Sequence, residues 1–127
     1  MADVVKVVNN GLAIITNRMI GAGTEPKYVH WGTEATAALV TDTALGSPSA
    51  EARVLGTGTR VTGSVDYDTW QVVGELTATT ARAITEVGLF DHLTTGSMFL
   101  HGTFDVINLN DGDKIEFTIQ TAFSDGS

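Results

Sequence analysis

The chain has 127 residues and no cysteine, so one domain is expected, and neither a disulfide framework nor a thiolate metal site is possible. A chain of this length buries about two-thirds of its unfolded surface, enough for one core held by packing and hydrogen bonds alone. Fifteen acidic against seven basic residues give a formal charge of -8, and the basic ones (Lys6, Arg18, Lys27, Arg53, Arg60, Arg82, Lys114) are scattered rather than clustered, which speaks against a nucleic-acid partner.

The segment Met1–Lys6 lacks the basic start, apolar core and small-residue cleavage site of a secretory signal. No apolar run approaches the roughly 20 residues that cross a bilayer, so no membrane partner is expected and synthesis in a cytoplasm is. Val4, Val5, Val7 and Val8 are β-branched and favour extended backbone. Residues 1–8 therefore read as an extended N-terminal arm that pairs with another subunit, or as the lead-in to a helix. That helix is capped by Asn9 or Asn10, places Leu12, Ile15 and Met19 after Val8 on one apolar stripe, and stops at Gly21.

Gly21-Ala22-Gly23-Thr24-Glu25-Pro26 forms a turn cluster, and Lys27–Trp31 a short strand with Tyr28 and His30 opposite Val29 and Trp31. Residues 33–50, with Ala35, Ala37, Ala38 and Leu39 before Gly46-Ser47-Pro48-Ser49, read as a long loop with at most a helical turn. Such loops in small domains usually carry function. From residue 51 the period becomes two: Arg53, Leu55, Thr57, Thr59 and Val61 share one face. Gly56 and Gly58 mark a bulge or the close approach of another backbone.

Asp66-Tyr67-Asp68 reads as a hairpin turn, followed by an inward row of Trp70, Val72, Gly74 and Leu76. Ile84–Phe90 is the next strand, with Ile84, Glu86, Gly88 and Phe90 on one buried face. After a turn at Asp91–Ser97, Met98, Leu100, Gly102, Phe104 and Val106 line a further strand. Asn110-Asp111-Gly112 supplies an Asp-Gly turn, and Ile115, Phe117, Ile119, Thr121 and Phe123 give the cleanest alternation in the chain. Asp125-Gly126-Ser127 reads as a frayed end. The pattern predicts a single all-β domain over 1–127, a β-sandwich or jelly-roll-like barrel with one short N-terminal helix.

Three segments carry a resemblance: Gly11-Leu12-Ala13-Ile14-Ile15-Thr16-Asn17-Arg18; Gly21–Tyr28 with His30-Trp31-Gly32-Thr33; and Ile84-Thr85-Glu86-Val87-Gly88-Leu89-Phe90-Asp91. They resemble small structural proteins of tailed-bacteriophage virions, known variously as head decoration (cement) proteins or tail-fibre-like proteins. The resemblance implies a small β-rich subunit, often a homotrimer, bound to the outside of a capsid, with the major capsid protein as partner and the virion surface as its location.

Catalytic chemistry has no constellation to rest on, so no enzyme activity and no cofactor are expected. His30, His92 and His101 stand alone, the first and last as hydrogen-bonded strand histidines. Asp66/Asp68 and Asp111/Asp113 have alternate spacing but no continuation into a calcium loop, and turn chemistry explains them; no metal is expected. Glu86, on a buried face, requires a partner, for which Arg82, Arg53 and Arg60 are the candidates, within or between subunits.

The residues expected at subunit or shell contacts are Val4, Val5, Val7 and Val8 of the arm, Tyr28, Leu39 of the 33–50 loop, and Arg53 and Arg60. The alternative to a decoration protein is a tail-fibre module binding host glycans, with Tyr28 or Trp31 as exposed stacking residues; Tyr67 and Trp70 are the other aromatics in view.

Overall fold

The computed structural model describes residues 3–124; the expected frayed end at 125–127 lies outside them, as do the first two residues of the arm. The elements in chain order are β1 (Val4–Val7), α1 (Asn9–Met19), β2 (Tyr28–Gly32), β3 (Val54–Leu55), β4 (Thr57–Val61), β5 (Thr69–Thr77), β6 (Arg82–Phe90), β7 (Met98–Leu109) and β8 (Lys114–Ala122). They form two antiparallel sheets, one ordered β1-β7-β6-β2-β3 and the other β4-β5-β8. The fold is an all-β sandwich with one short helix.

The alternating rows build the main core. Val29 and Trp31 of β2, Val72 and Leu76 of β5, Val87 and Leu89 of β6, Leu100 of β7 and Ile119 of β8 meet between the sheets. Gly74 makes room for the facing sheet: a Cβ there would stand 2.7 Å from a methyl of Val29. Trp70 is half-buried at the margin and donates its indole N–H to the Pro26 carbonyl at 3.2 Å.

Four features depart from simple periodicity. The row from Arg53 to Val61 is two strands: β3 pairs with β2, and the chain then crosses at Gly56 so that β4 pairs with β5 in the other sheet. Gly56 is needed at the corner, because a Cβ would lie 2.9 Å from the Lys27 carbonyl and 3.0 Å from that of Val73. In β6 the register to β7 shifts between Ile84 and Glu86. That irregularity reverses the alternation, so Ile84 joins the main core with Val87 and Leu89, while Glu86 and Phe90 face outward. A second shift, between Leu89 and Phe90, puts Met98 on the outer face with Phe90 and Val8, and Val106 beyond the first shift is exposed. The Asp-Gly turn, with Gly112 at φ 89°, joins β7 and β8, which belong to different sheets.

The helix also differs from its expected stripe. Val8 is the N-cap, with no side-chain cap from Asn9 or Asn10, and the buried residues are Gly11 and Ile14. Met19 is 80% exposed and Leu12 57%. The cause is Gly11: a Cβ there would collide with the Phe99 carbonyl, so the bare glycine backbone is the surface that meets β7. The chain leaves the helix through Gly21 at φ 77°, as expected.

A Gly74→Val substitution is expected to lower stability by about 2 kcal/mol through overpacking against Val29, read as a fall in the urea midpoint with unchanged m.

Candidate functional site

Residues 33–50 do not hang free. They cross the outer face of β6 and β7, where Leu45 packs with Val8, Phe90 and Met98 in a second, smaller core. Glu86 is the anchor. It is fully buried, and its Oε2 accepts the backbone N–H of Glu34 at 3.1 Å and of Ser47 at 2.9 Å. Its Oε1 accepts the N–H of Gly46 at 3.0 Å and Nε2 of His101 at 2.8 Å. His101 Nδ1 meets Asp42 Oδ2 at 2.7 Å, and Asp42 in turn accepts the Leu39 N–H at 2.8 Å. Both ends and the crest of the loop are thus tied to one Glu–His–Asp chain, buried at Glu86 and His101 and half-buried at Asp42.

Adjacent contacts complete the clamp. Thr85 donates to the Glu34 carbonyl at 2.8 Å, and the Ala38 N–H reaches Thr103 Oγ1 at 3.3 Å. The Val40 carbonyl accepts the N–H of Asn9 at 2.7 Å, so the loop supplies the acceptor that the first turn of α1 lacks. Gly32 sits beside Glu86 because any Cβ there would collide with Glu86 Oε2 and the Ser47 carbonyl. Beyond the loop, Glu51 forms a second hub. It accepts the indole N–H of Trp31 at 2.9 Å, the hydroxyl of Ser49, the N–H of Thr79 at 3.1 Å and Arg82 Nε at 3.0 Å.

Electrostatics follow the geometry. Burial pushes the Glu86 carboxyl up, but the His101 hydrogen bond and the N–H donors of Ser47, Gly46 and Glu34 outweigh it and hold the pKa below the ordinary value. For His101, burial disfavours charge, yet the hydrogen bonds to Glu86 and Asp42 prevail and raise the pKa. Asp42 and Glu51 are lowered in the same way, against the opposing effect of burial. Both imidazole nitrogens of His101 face carboxylates, so the ring acts as a charged tie between them.

The expected partners of Glu86 are therefore corrected. Arg82 pairs with Glu51 at 3.0 Å. Arg53 lies 3.7 Å over the Phe90 ring and donates to the carbonyls of His92 and Thr95. Arg60 is 4.3 Å over Tyr67. The actual partner, His101, is fifteen residues away in sequence but one strand away in space, opposite Gly88.

The residues expected at contacts are spread over several faces. Val4, Val5 and Val7 pair with Thr103, Gly102 and Leu100 of the chain's own β7, so the described arm is an edge strand of its own sheet. Val8 is fully buried in the smaller core and cannot reach a partner. Tyr28 is half-buried against that core, and Arg53 is half-buried and engaged within the chain, whereas Arg60 is exposed. Leu39 is 57% exposed at the loop crest, beside Val40. Sequence reasoning missed Val40, which is exposed and whose carbonyl accepts the first N–H of α1. Trp31, expected as an exposed stacking residue, is fully buried.

His30 donates from Nε2 to the Glu51 carbonyl at 2.7 Å, a sheet histidine as expected. Asp68 accepts the N–H groups of Gly63, Ser64 and Val65, the turn chemistry read from its spacing. Among the described residues, no group of three or more His, Asp or Glu is arranged to hold a metal ion. Compared with family models, with curated proteins and with solved structures, the chain matches none.

Replacing Glu86 by Gln strands His101 beside Asp42 alone and is expected to cost about 3 kcal/mol, with faster amide exchange at Glu34, Gly46 and Ser47. The pH dependence has two limbs. The carboxylates, lowered in the folded state, contribute stability that is lost as pH falls through their folded pKa values. His101, raised in the folded state, contributes stability complete below its unfolded pKa and lost as pH rises through the folded one. Thermal melts across pH are expected to show both limbs in the parent and to lose the upper one in a His101→Gln variant.

Proposed function

We propose that this chain is a structural subunit of a tailed-phage virion that binds the outside of the head as a homotrimer and stabilises it by bridging major capsid proteins. The observation that carries this reading is the clamped loop. Leu39 and Val40 are adjacent exposed apolar residues, and the backbone of Leu39 is held by Asp42 at the end of the Glu86–His101–Asp42 chain. Val40 stands at the start of α1, where its carbonyl accepts the N–H of Asn9.

A surface already ordered before contact loses little conformational freedom on docking. A subunit that binds the assembled shell and not its dissociated parts stabilises the shell by linkage, and three equivalent contacts add avidity. The three segments that resemble phage structural proteins lie on α1, on the turn and strand of β2, and on β6, which pairs with β2. The glycan-binding alternative is weaker, since of its two stacking residues Trp31 is buried and Tyr28 half-buried.

The test is to add purified protein to heads assembled without it. Co-sedimentation and a higher head melting temperature are expected, both lost on Leu39→Asp with Val40→Asp. Heads that neither bind the parent protein nor melt higher in its presence would reject the reading.

A further inference from the structure

His101 stands between two carboxylates that differ in what else holds them. Its Nε2 meets Glu86 Oε1 at 2.8 Å and its Nδ1 meets Asp42 Oδ2 at 2.7 Å. Glu86 is fully buried and accepts three backbone N–H groups as well, from Glu34, Gly46 and Ser47. Asp42 reaches solvent, with its side chain 24% exposed, and its carboxylate also accepts the Leu39 N–H. A charged imidazole donates from both nitrogens and serves both carboxylates. A neutral one donates from a single nitrogen and turns a lone pair out of the other. One carboxylate oxygen then faces that lone pair, and no hydrogen bond joins them.

Burial decides which side gives way. Glu86 has no water to replace a lost donor, so the remaining proton stays on Nε2. Asp42 can turn to water. The other charges around the ring leave this choice intact. Lys6 of β1 stands opposite His101 in register and is exposed, where solvent and salt screen it. On β6 the residue opposite is Gly88, and Arg82 of that strand is paired with Glu51. Glu34 of the loop turns its carboxylate to Thr36. The charged residue of α1, Arg18, donates to the Ala22 and Gly23 carbonyls past the far end of the helix.

We propose that His101 is a pH-operated latch on the loop crest alone: when its ring loses the second proton, the link to Asp42 opens and residues 39–42 are released, while both ends of the loop stay fixed on Glu86. The hydrogen bonds to the two carboxylates raise the His101 pKa in the folded state, so the latch holds below that value and opens as pH rises through it. Release frees the Leu39 N–H from Asp42 and the Val40 carbonyl from the Asn9 N–H, so the first turn of α1 loosens with the crest. This is a local opening, separate from global unfolding. It concerns the chain by itself and does not depend on a virion role.

The test is amide hydrogen exchange on the isotope-labelled full chain from about pH 6 upward, beside the imidazole nitrogen shifts of His101. Protection at Asn9, Leu39 and Asp42 is expected to fall by roughly tenfold or more at the pH where His101 titrates, with Glu34, Gly46 and Ser47 still protected. The neutral ring is expected to carry its proton on Nε2. Asp42→Asn supplies an amide that can donate to an unprotonated Nδ1, and is expected to abolish the step and keep the crest protected throughout. Four outcomes overturn the proposal: a crest unchanged as His101 titrates, crest and loop ends released together, a neutral ring protonated on Nδ1, or a step that survives in Asp42→Asn. A ring that keeps both protons up to the pH of global unfolding overturns it too.

Discussion

A buried carboxylate governs the outer layer of this protein. Taking Glu86 out of water costs several kcal/mol unless its lone pairs are filled. Three backbone N–H groups and one imidazole fill them, and all three N–H groups come from residues 33–50. The loop is therefore held by the need to satisfy Glu86, and Glu86 is tolerated only because the loop is there. The dependence spreads outward from that pair. With the loop in place, Leu45 closes the smaller core, the Val40 carbonyl caps the first turn of α1, and Asp42 fixes the second nitrogen of His101.

The segment Ile84–Asp91 can be read residue by residue in this light. Ile84 fills the main core on one side of the register shift, and Thr85 ties down the Glu34 carbonyl. Glu86 anchors the loop, and Gly88 leaves room for Leu45 and Phe90, which a Cβ would meet at 2.9 and 2.8 Å. Phe90 carries Arg53 on its face, and Asp91 Oδ1 accepts the Ser97 N–H at 2.7 Å to close the following turn. Every polar member of the segment has a structural partner inside the chain. These contacts account for the segment by the way it fastens the loop to the sheet, with every tie made inside the chain.

The strands themselves were legible because alternation survives in them: β2, β5 and β8 place inward the residues that a period of two selects. Reading failed where one residue changes the phase. The shift at Thr85 separates Ile84 from Glu86, and the shift before Phe90 sends Met98 to the outer face; neither leaves a local signature in composition. Gly56 was legible as a special position but not as the point where the chain changes sheets. Gly11 was read only as part of a helix, although the absence of its side chain turns the helix and exposes Leu12 and Met19. The partner of Glu86 was hidden for a different reason: a search for cations favours arginine, whereas a histidine raised in pKa by two carboxylates serves equally.

The crest and the groove beside β8 are two of several exposed apolar regions, and they are held differently. The crest at Leu39 and Val40 is fixed by hydrogen bonds at both ends of its loop, so a rigid surface can dock on it without either side folding. The groove beside β8 is bounded by Val5, Phe104, Ile115 and Phe117, side chains that point between the sheets and are only partly covered. The Glu86 clamp holds the crest in shape through contacts within the chain alone, so its order is complete before any partner arrives.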